Sequence, residues 1–231
     1  CSACSSKRYL CWRLTGFHGR EASAVLKLEN IVKSYGEKRV LSDVSMTIPD
    51  GVTAVLSGMS GSGKTTLLRI AAGLEKPDSG IVSVSGRAAV VFAEPRLFPS
   101  VCVMENVTCV MRGDRRENEQ RAMALLSAVG LADAARLRPR ELSSGMAARA
   151  ALARALAYDA DTYLFDEPFG SLDGEIKSLV MRYLKAFLKG KTALLITHDM
   201  AEGDFMATLR FHLANGSLSD ITENQNEETP H

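Results

Sequence analysis

The sequence has little net charge, few cysteines and no long apolar run, and each of these scarcities excludes a class of protein. Its 28 basic and 27 acidic residues leave a net charge of +1, so bulk electrostatics predicts no attraction to nucleic acid or to an anionic membrane. The five cysteines are odd in number and lack the spacing of a disulfide framework, which favours a reducing compartment. No apolar run approaches the roughly 18 residues of a membrane helix, so we expect any connection to a membrane to be made through a partner.

The 231 residues, 46% of them hydrophobic, are enough to bury the core of one sizeable domain. We expect that domain over residues 25–222, where strand and helix patterns alternate. Residues 1–24 show no periodicity and are expected to form a poorly ordered extension. Its Cys1 and Cys4 would be half of a zinc site only if a second pair stood at a suitable spacing. Residues 223–231 are polar and acidic and are expected to form a tail.

The pattern Gly58-x-x-x-x-Gly63-Lys64-Thr65 is typical of a loop that binds the phosphates of a nucleotide. Its glycines allow the backbone to curl closely around an anion, with the N–H groups pointing inward at one spot. Lys64 would bring a positive charge to the β- and γ-phosphates, the Thr65 hydroxyl would ligate Mg²⁺, and Thr66 would touch the α-phosphate. The other residues of the loop predicted to bind the nucleotide are Gly58, Ser60, Gly61, Ser62 and Gly63.

The residues on both sides of this pattern favour a phosphate-binding loop over a chance glycine-rich turn. Residues 53–56 are an apolar run of strand length. After the loop, apolar residues recur at the spacing of one helix face; they are Leu67, Ile70, Ala71 and Leu74. We therefore predict a strand, a phosphate-binding loop and a helix in succession.

Strand patterns precede and follow this unit. Residues 25–32 and 40–48, with a turn between them, predict an antiparallel β layer. Residues 80–85 and 88–92 read as two more strands. The second of these runs into a stretch at 93–99 whose two prolines predict a loop.

A helical lobe is predicted over about 100–157, because this stretch carries no β pattern. One helix face is formed by residues 122, 125, 126 and 129, and a second helix should run from Ser143 through an alanine-rich segment to Ala157. The chain then returns to apolar strands at 162–165 and 192–197, on either side of a helix at 173–189. Strands alternating with helices in this way predict an α/β fold whose parallel sheet binds its ligand at the carboxyl ends of the strands.

Three polar side chains follow these last two apolar strands. Asp166 stands where a phosphate-loop protein places the carboxylate that holds Mg²⁺ through its water shell. Glu167 could polarise the water that attacks the γ-phosphate, and His198 could donate to that phosphate. A simple strand-to-loop turn and a structural histidine are the alternatives for these residues taken singly. Their shared position at the phosphate edge of the sheet favours the catalytic interpretation.

The segment Leu142-Ser143-Ser144-Gly145-Met146 opens the alanine-rich helix, and its N–H groups form a second helix terminus suited to an anion. Two such helix ends would crowd one nucleotide site. In one class of phosphate-loop protein, the second helix end serves the nucleotide of a partner subunit instead.

Residues 25–221 resemble the ATP-hydrolysing subunits of ATP-binding-cassette (ABC) transporters. The resemblance is carried by five motifs in the family's order and spacing. They are residues 58–65, 142–146 (with Ala-Arg-Ala-Leu further along the same helix, at 153–156), 165–168, 171–173 and 197–199. The compact stretch 80–93 resembles the importers of the nitrate, sulfonate and taurine group. The fold expected from the resemblance is a RecA-like phosphate-loop NTPase core with an antiparallel β layer and an inserted helical lobe.

The resemblance implies a head-to-tail dimer of two ATPase subunits, here two copies of the chain, which encloses two Mg-ATP. The phosphate loop of one subunit would face Ser143 and Gly145 of the other, and the loop that ends at Asp173 would link the two sites. Tyr35 matches the aromatic residue that stacks on adenine. Lys64, Glu167 and His198 match catalytic residues, and Thr65 and Asp166 match the metal ligands.

The resemblance also implies partners and a location. Membrane-spanning subunits would dock at the loop 93–99 and hold the ATPase at the cytoplasmic face of the cell membrane. A solute-binding protein would take part indirectly, and no nucleic acid is expected.

Two residues depart from the family pattern and leave an alternative open. Ala93 replaces a glutamine that ligates Mg²⁺ and senses the membrane subunit, and Ser144 replaces a glycine that approaches the γ-phosphate. A degenerate or regulatory subunit that binds ATP but hydrolyses it poorly is therefore the alternative to an active importer ATPase. A soluble ABC protein of ribosomes or DNA repair is a third interpretation, but it would need a second cassette or a long coiled coil.

Overall fold

The computed structural model describes residues 24–220 of the chain. The extension predicted over 1–24 therefore lies outside the described residues, apart from Ala24, which begins the first strand. The tail predicted over 223–231 and the cysteine pair near the start also lie outside them. Along the described residues, no helix is both long enough and apolar enough to cross a bilayer.

The antiparallel layer contains three strands. They are β1 (Ala24–Tyr35), β2 (Lys38–Pro49) and β4 (Ser79–Val84), in the order β2-β1-β4. In the second half of β2, buried and exposed side chains alternate because successive residues point to opposite faces of a strand. The apolar face of this layer can therefore pack on the core while its other face meets solvent.

The central sheet has six strands. They are β3 (Thr53–Ser57), β5 (Ala88–Val91), β6 (Thr162–Asp166), β7 (Thr192–Ile196), β8 (Leu209–Ala214) and β9 (Ser217–Asp220), in the order β5-β6-β7-β3-β8-β9. Every neighbouring pair is parallel except β8 and β9. Both β6 and β7 are buried along their whole length, as strands covered on two faces are. The carboxyl ends of β5, β6, β7 and β3 therefore lie side by side at one edge.

Six helices complete the described chain. They are α1 (Lys64–Ala71), α2 (Val103–Thr108), α3 (Arg115–Ala128), α4 (Ser144–Ala157), α5 (Gly174–Phe187) and α6 (Met200–Met206), with short 3₁₀ turns at Ala132–Ala134 and Pro139–Glu141. The helices α2, α3 and α4 follow one another between β5 and β6, so they form an insertion into the sheet. The predicted fold class, a phosphate-loop NTPase with a β layer and a helical lobe, is confirmed.

Two apolar clusters cover the two faces of the central sheet. Tyr163 and Phe165 of β6 join the cluster formed with the helical lobe and α5. Leu164, between them in sequence, joins the cluster formed with α1 and the antiparallel layer. Because neighbouring strand residues point to opposite faces, one strand contributes to both cores, and the sheet is the middle layer.

The prediction for the helix after the phosphate loop was wrong at its last position. Leu74 is 61% exposed and lies beyond the end of α1 at Ala71. The reason is Gly73, whose φ of 68° is the left-handed conformation that ends a helix. The sequence interpretation also missed α2, α6, β8 and β9.

Candidate nucleotide-binding site

The phosphate loop joins the end of β3 to the start of α1. At its first residue, Gly58, φ is 146°, and an added Cβ would lie 2.3 Å from the carbonyl oxygen of Leu213 on the neighbouring strand β8. A side chain at this position would collide with backbone, which cannot move without disrupting the sheet. The sequence pattern thus reflects close packing of the loop against β8 as well as its curvature.

Lys64 holds this loop in its curled form. The residue is only 7% exposed, and its Nζ donates to the carbonyl oxygens of Gly58 and Met59, both at 2.8 Å. An ammonium group has three donors, and these bonds use two of them. The buried positive charge is therefore fixed inside the loop, where a polyphosphate would meet it.

Ser62 gives an independent indication that the loop fits an anion. Its Oγ is buried and has no hydrogen-bond partner among the described residues. Buried polar side-chain atoms in folded proteins nearly always have such a partner. A phosphate oxygen in the loop would satisfy this hydroxyl, so the residues present fit the nucleotide.

Thr65 and Asp166 come together from two elements that neighbour each other in space. Thr65 Oγ1, in the first turn of α1, donates to Asp166 Oδ1 at the end of β6 over 3.3 Å. Asp166 is 5% exposed, and its burial raises the pKa of the carboxyl, partly offset by the bond from Thr65. A bound cation would favour the charged carboxylate that burial disfavours.

These two oxygens fit Mg²⁺ in particular. Over residues 24–220, no group of three or more His, Cys, Asp or Glu side chains could hold a metal ion. Mg²⁺ needs no such cage, because it keeps several waters and is bound through one or two protein oxygens and the phosphates of its nucleotide. A hydroxyl and a carboxylate beside a phosphate loop are sufficient for it.

Glu167 and His198 lie next to each other at the same edge of the sheet. His198 Nδ1 is 3.3 Å from Glu167 Oε1, and the two side chains are 67% and 36% exposed. Glu167 has a φ of 48°, while its N–H donates to the carbonyl oxygen of Ile196 on β7 at 3.0 Å. A non-glycine residue held in this conformation carries strain, which the neighbouring strand maintains. The pair is thus fixed by β6 and β7 and open to a ligand.

Ala93 follows β5 on the side of this pair. A cavity of about 200 Å³ is lined by Ala93, Glu167, Ser171 and His198, among others. The alanine methyl group leaves this space beside the carboxylate and the imidazole. A longer side chain at position 93 has room to reach the site.

The rest of the loop after Ala93 is held by side chains of the helical lobe. Arg154 of α4 donates to the carbonyl oxygens of Arg96 and Pro95 at 3.0 and 3.2 Å, and burial lowers the pKa of its guanidinium. Asn106 of α2 is fully buried and bonds to both the N–H and the carbonyl of Phe98, at 2.7 and 3.1 Å. Sequence reasoning missed both contacts. The available signal was a polar Asn106 within the apolar residues of α2.

The segment around Ser143 lies against another loop of the same chain. Ser143 caps α4 by accepting from the N–H of Met146 at 3.2 Å. An added Cβ on Gly145 would lie 2.9 Å from the carbonyl oxygen of Ser171, two residues before Asp173, the N-cap residue of α5. The structure therefore brings Ser143, Gly145 and Asp173 into one region, while Lys64, Thr65 and Asp166 form another.

Tyr35 ends β1 and is 49% exposed. Its hydroxyl donates to the carboxylate of Glu75, and Lys33 Nζ lies 5.5 Å from the ring centroid. Lys33 also pairs with Glu75 at 3.5 Å. These contacts fix the ring in place and leave about half of its surface open to a base.

Comparisons with known proteins give this arrangement a family context. The family described as ABC transporter matches residues 41–170. The aliphatic sulfonates import ATP-binding protein of Corynebacterium glutamicum is 42% identical over 192 residues, which are 81% of this chain and 79% of that protein. The protein of the same name from Mycobacterium avium is 42% identical over 206 residues, covering 87% of this chain and 82% of its own length.

Solved structures show the same similarity in three dimensions. A dimeric, post-hydrolysis state of the ATP-binding cassette MJ0796, bound to ADP and Pi, superposes with a TM-score of 0.79 at 29% identity. It covers 86% of this chain and 99% of its own. A second dimeric structure of that bacterial ABC transporter cassette gives the same TM-score at 30% identity.

Proposed function

This chain belongs to the ABC transporter family as an ATP-binding subunit that hydrolyses ATP with Mg²⁺, and we propose that it drives the import of aliphatic sulfonates. The observation that carries the ATPase assignment is the edge of the central sheet, where a phosphate loop, a buried carboxylate and an exposed Glu–His pair lie together. The named function of the relatives supports the substrate class.

The phosphate loop binds the nucleotide. Lys64 balances the charge of the β- and γ-phosphates, Ser62 Oγ donates to a phosphate oxygen, and the loop N–H groups complete the cradle. Tyr35 stacks on the adenine. Thr65 and Asp166 hold Mg²⁺, which, when bound, neutralises and orients the phosphate oxygens.

Glu167 and His198 carry out the chemistry beside this cradle. Glu167 accepts a proton from the water that attacks the γ-phosphate, because its carboxylate is partly open to solvent and the residue directly follows the metal-binding Asp166. His198, 3.3 Å from Glu167, donates to the γ-phosphate and keeps the carboxylate oriented. Hydrolysis forms a bond from the water oxygen to phosphorus and breaks the bond from phosphorus to the oxygen that bridges to ADP.

The subunit acts within a larger assembly. A second cassette completes each site, with Ser143 and Gly145 of one copy facing the nucleotide of the other, and two copies of this chain form the pair. Membrane-spanning subunits dock at the loop 93–99 on the cytoplasmic side, and a solute-binding protein delivers the substrate to them. The dimeric cassette structures support the pairing of two cassettes.

The relatives favour an active ATPase over the degenerate subunit that Ala93 and Ser144 left open. Ser144 also has an ordinary place in the first turn of α4, where a side chain is tolerated.

The test is transport in lipid vesicles that contain the chain together with its membrane subunits and the solute-binding protein. We expect ATP-dependent uptake of a labelled alkanesulfonate, with a carboxylate of the same chain length taken up less. The Glu167→Gln variant should support no uptake. ATP hydrolysis without sulfonate uptake would overturn the substrate class, whereas no hydrolysis by the complete assembly would overturn the ATPase assignment.

A further inference from the structure

His198 is exposed, yet the residues on both sides of it are tied into a polar network in which Thr197 and Glu202 are buried. Thr197 Oγ1 donates to Glu202 Oε2 at 2.5 Å and accepts from the N–H of Asp199 at 3.1 Å. Asp199 Oδ1 in turn accepts from the N–H of Ala201 at 2.9 Å, which caps α6. The backbone that carries the imidazole is therefore held by its neighbours rather than by the imidazole itself.

A single lysine closes this network from another helix. Lys177 of α5 donates to Glu202 Oε1 at 2.6 Å and to Asp199 Oδ2 at 3.0 Å. The bonds to Glu202 and then Asp199 raise the pKa of the Lys177 ammonium, and the bond from Lys177 lowers the pKa of Asp199. Both directions mean that the ionised forms stabilise one another.

Because Glu202 is buried, a variant that removes only one partner of the Lys177–Glu202 pair is expected to be destabilised. Glu202 is 4% exposed, and removing one partner of a buried, hydrogen-bonded group leaves the other unsatisfied at a cost of about 1–3 kcal/mol. Replacing Lys177 by Met and Glu202 by Gln together leaves no unpaired buried charge at position 202. The pair thus gives matched single and double variants.

The same lysine lies close to the loop that precedes α5. The backbone N–H of Lys177 donates to the carbonyl oxygen of Asp173 at 3.2 Å. Two residues earlier, the carbonyl oxygen of Ser171 lies close to Gly145. A displacement of the loop 171–173 would therefore reach Lys177 through one turn of helix.

We propose that Lys177 and Glu202 are positioning residues that set His198 against Glu167 and tie that placement to the loop 171–173. Neither residue touches the proposed nucleotide site. Each acts through Thr197 and Asp199, the two residues that flank His198. The inference rests on the roles proposed above for Glu167 and His198.

The placement of His198 can be measured without ATP. The chain has four histidines, so the ring ¹⁵N signals of His198 can be assigned with a His198→Asn variant. In the parent, Glu167→Gln should shift these signals, because the two side chains are 3.3 Å apart. In the Lys177→Met and Lys177→Met/Glu202→Gln backgrounds, we expect that response to fall by at least about half, while Lys177→Arg preserves it.

Lys185 provides a matched control, since it also joins α5 to α6, through a bond to the carbonyl oxygen of Phe205 at 2.5 Å. The Lys185→Met variant should keep the full His198 response. The same response in all folded variants would overturn the proposal. The double variant, checked by its melting temperature, covers the case in which a single variant does not fold.

ATPase kinetics then separate positioning from a structural effect. Lys177→Met/Glu202→Gln should lower kcat roughly tenfold with the KM for ATP unchanged, because a displacement near 1 Å can slow chemistry by ~10²-fold. A rise in KM with an intact His198 response would contradict a positioning role. Absence of ATPase activity in the parent would count against the proposed function, whereas the ring signals would still decide this inference.

Discussion

Two loops at the carboxyl edge of the central sheet are held in place by different parts of the chain. The phosphate loop is fixed from within, since the buried Lys64 bonds to the carbonyl oxygens of its own residues Gly58 and Met59. The loop 93–99 is fixed from outside, by Asn106 and Arg154 of the helical lobe. One loop keeps its shape independently of the lobe, and the other follows it.

This difference separates the binding of the nucleotide from the coupling between the nucleotide site and the helical lobe. A self-supported phosphate loop can bind a nucleotide whatever the position of the lobe. The lobe-held loop instead connects Ala93, beside the Glu167–His198 pair, to α4, whose first turn carries the proposed contact to the partner's nucleotide. Arg154 is the physical link, because a single half-buried guanidinium of α4 holds two carbonyl groups of the loop.

The largest expected effect comes from blocking chemistry while leaving both loops supported. Glu167→Gln keeps the shape of the side chain but cannot accept a proton, so kcat should fall by about 10²- to 10⁴-fold. Nucleotide binding should be unchanged, and an ATP-stabilised dimer should appear on size exclusion. Turnover equal to that of the parent would show that Glu167 is not the base.

Removing the internal support of the phosphate loop should lower the affinity for ATP. Lys64→Ala takes away the cation and both of its bonds to the loop, and charged hydrogen bonds of this kind are worth about 1.5–3 kcal/mol. We expect ATP affinity measured by calorimetry to fall about 10- to 100-fold. Lys191→Ala, at the opposite edge of the sheet, should leave it unchanged. Equal affinity in both variants would contradict the assignment of the phosphate loop.

Removing the external support of the loop 93–99 should weaken the coupling between the membrane subunits and ATP hydrolysis. Arg154→Met frees the carbonyl groups of Pro95 and Arg96 and should reduce the stimulation of ATPase activity by the membrane subunits roughly fivefold or more, the range of ordinary coupling energies. ATP affinity should stay constant. Arg115→Met is the control, because Arg115 lies on α3 of the same lobe and bonds at 2.9 Å to Glu119 of its own helix instead. A loss of stimulation in both variants would point to general damage to the lobe.

Filling the cavity beside the Glu167–His198 pair should strengthen the lobe-held loop. Ala93→Gln has about 200 Å³ to occupy and adds a carbonyl that can order the metal and the attacking water. One such hydrogen bond is worth about 1 kcal/mol, so ATPase activity in the assembly should rise about fivefold. Ser144→Gly serves as the comparison and should favour dimerisation instead. Unchanged turnover would mean that the loop orders the site without this side chain.

The smallest expected effect concerns the stability of the nucleotide-free chain. Burial raises the pKa of Asp166 above its ordinary value of 3.8. A raised folded-state pKa contributes stability that is fully present below that ordinary value and is lost as pH rises through the folded value. At pH values above the folded-state pKa of Asp166, the Asp166→Asn variant should therefore raise the melting temperature by a few degrees at most. A lower melting temperature at neutral pH would contradict this sign.

The sequence predicted those parts of the site that local patterns encode. The phosphate loop, the two buried strands before Asp166 and His198, and the cap at Ser143 each depend on residues that neighbour one another in the chain. The strand β8 (Leu209–Ala214) was missed although its apolar residues alternate with Arg210 and His212, which is the local pattern of a half-buried strand. Its role next to Gly58 appears only once the strands are paired.

The supports of the site could not be predicted for a related reason. Arg154 and Pro95 are 59 residues apart in sequence, and Lys177 and Asp199 are 22 apart. No local periodicity reports a bond between such residues. Each becomes visible only when the lobe and α5 are packed against the sheet.

The most direct test of the account is phosphate release by the parent chain in the complete assembly, measured alongside Glu167→Gln at saturating Mg-ATP. We predict steady release by the parent and, from the variant, release at least about 10²-fold slower with ATP still bound. A parent that binds ATP and dimerises but releases phosphate no faster than the variant would contradict the account and restore the degenerate-subunit alternative.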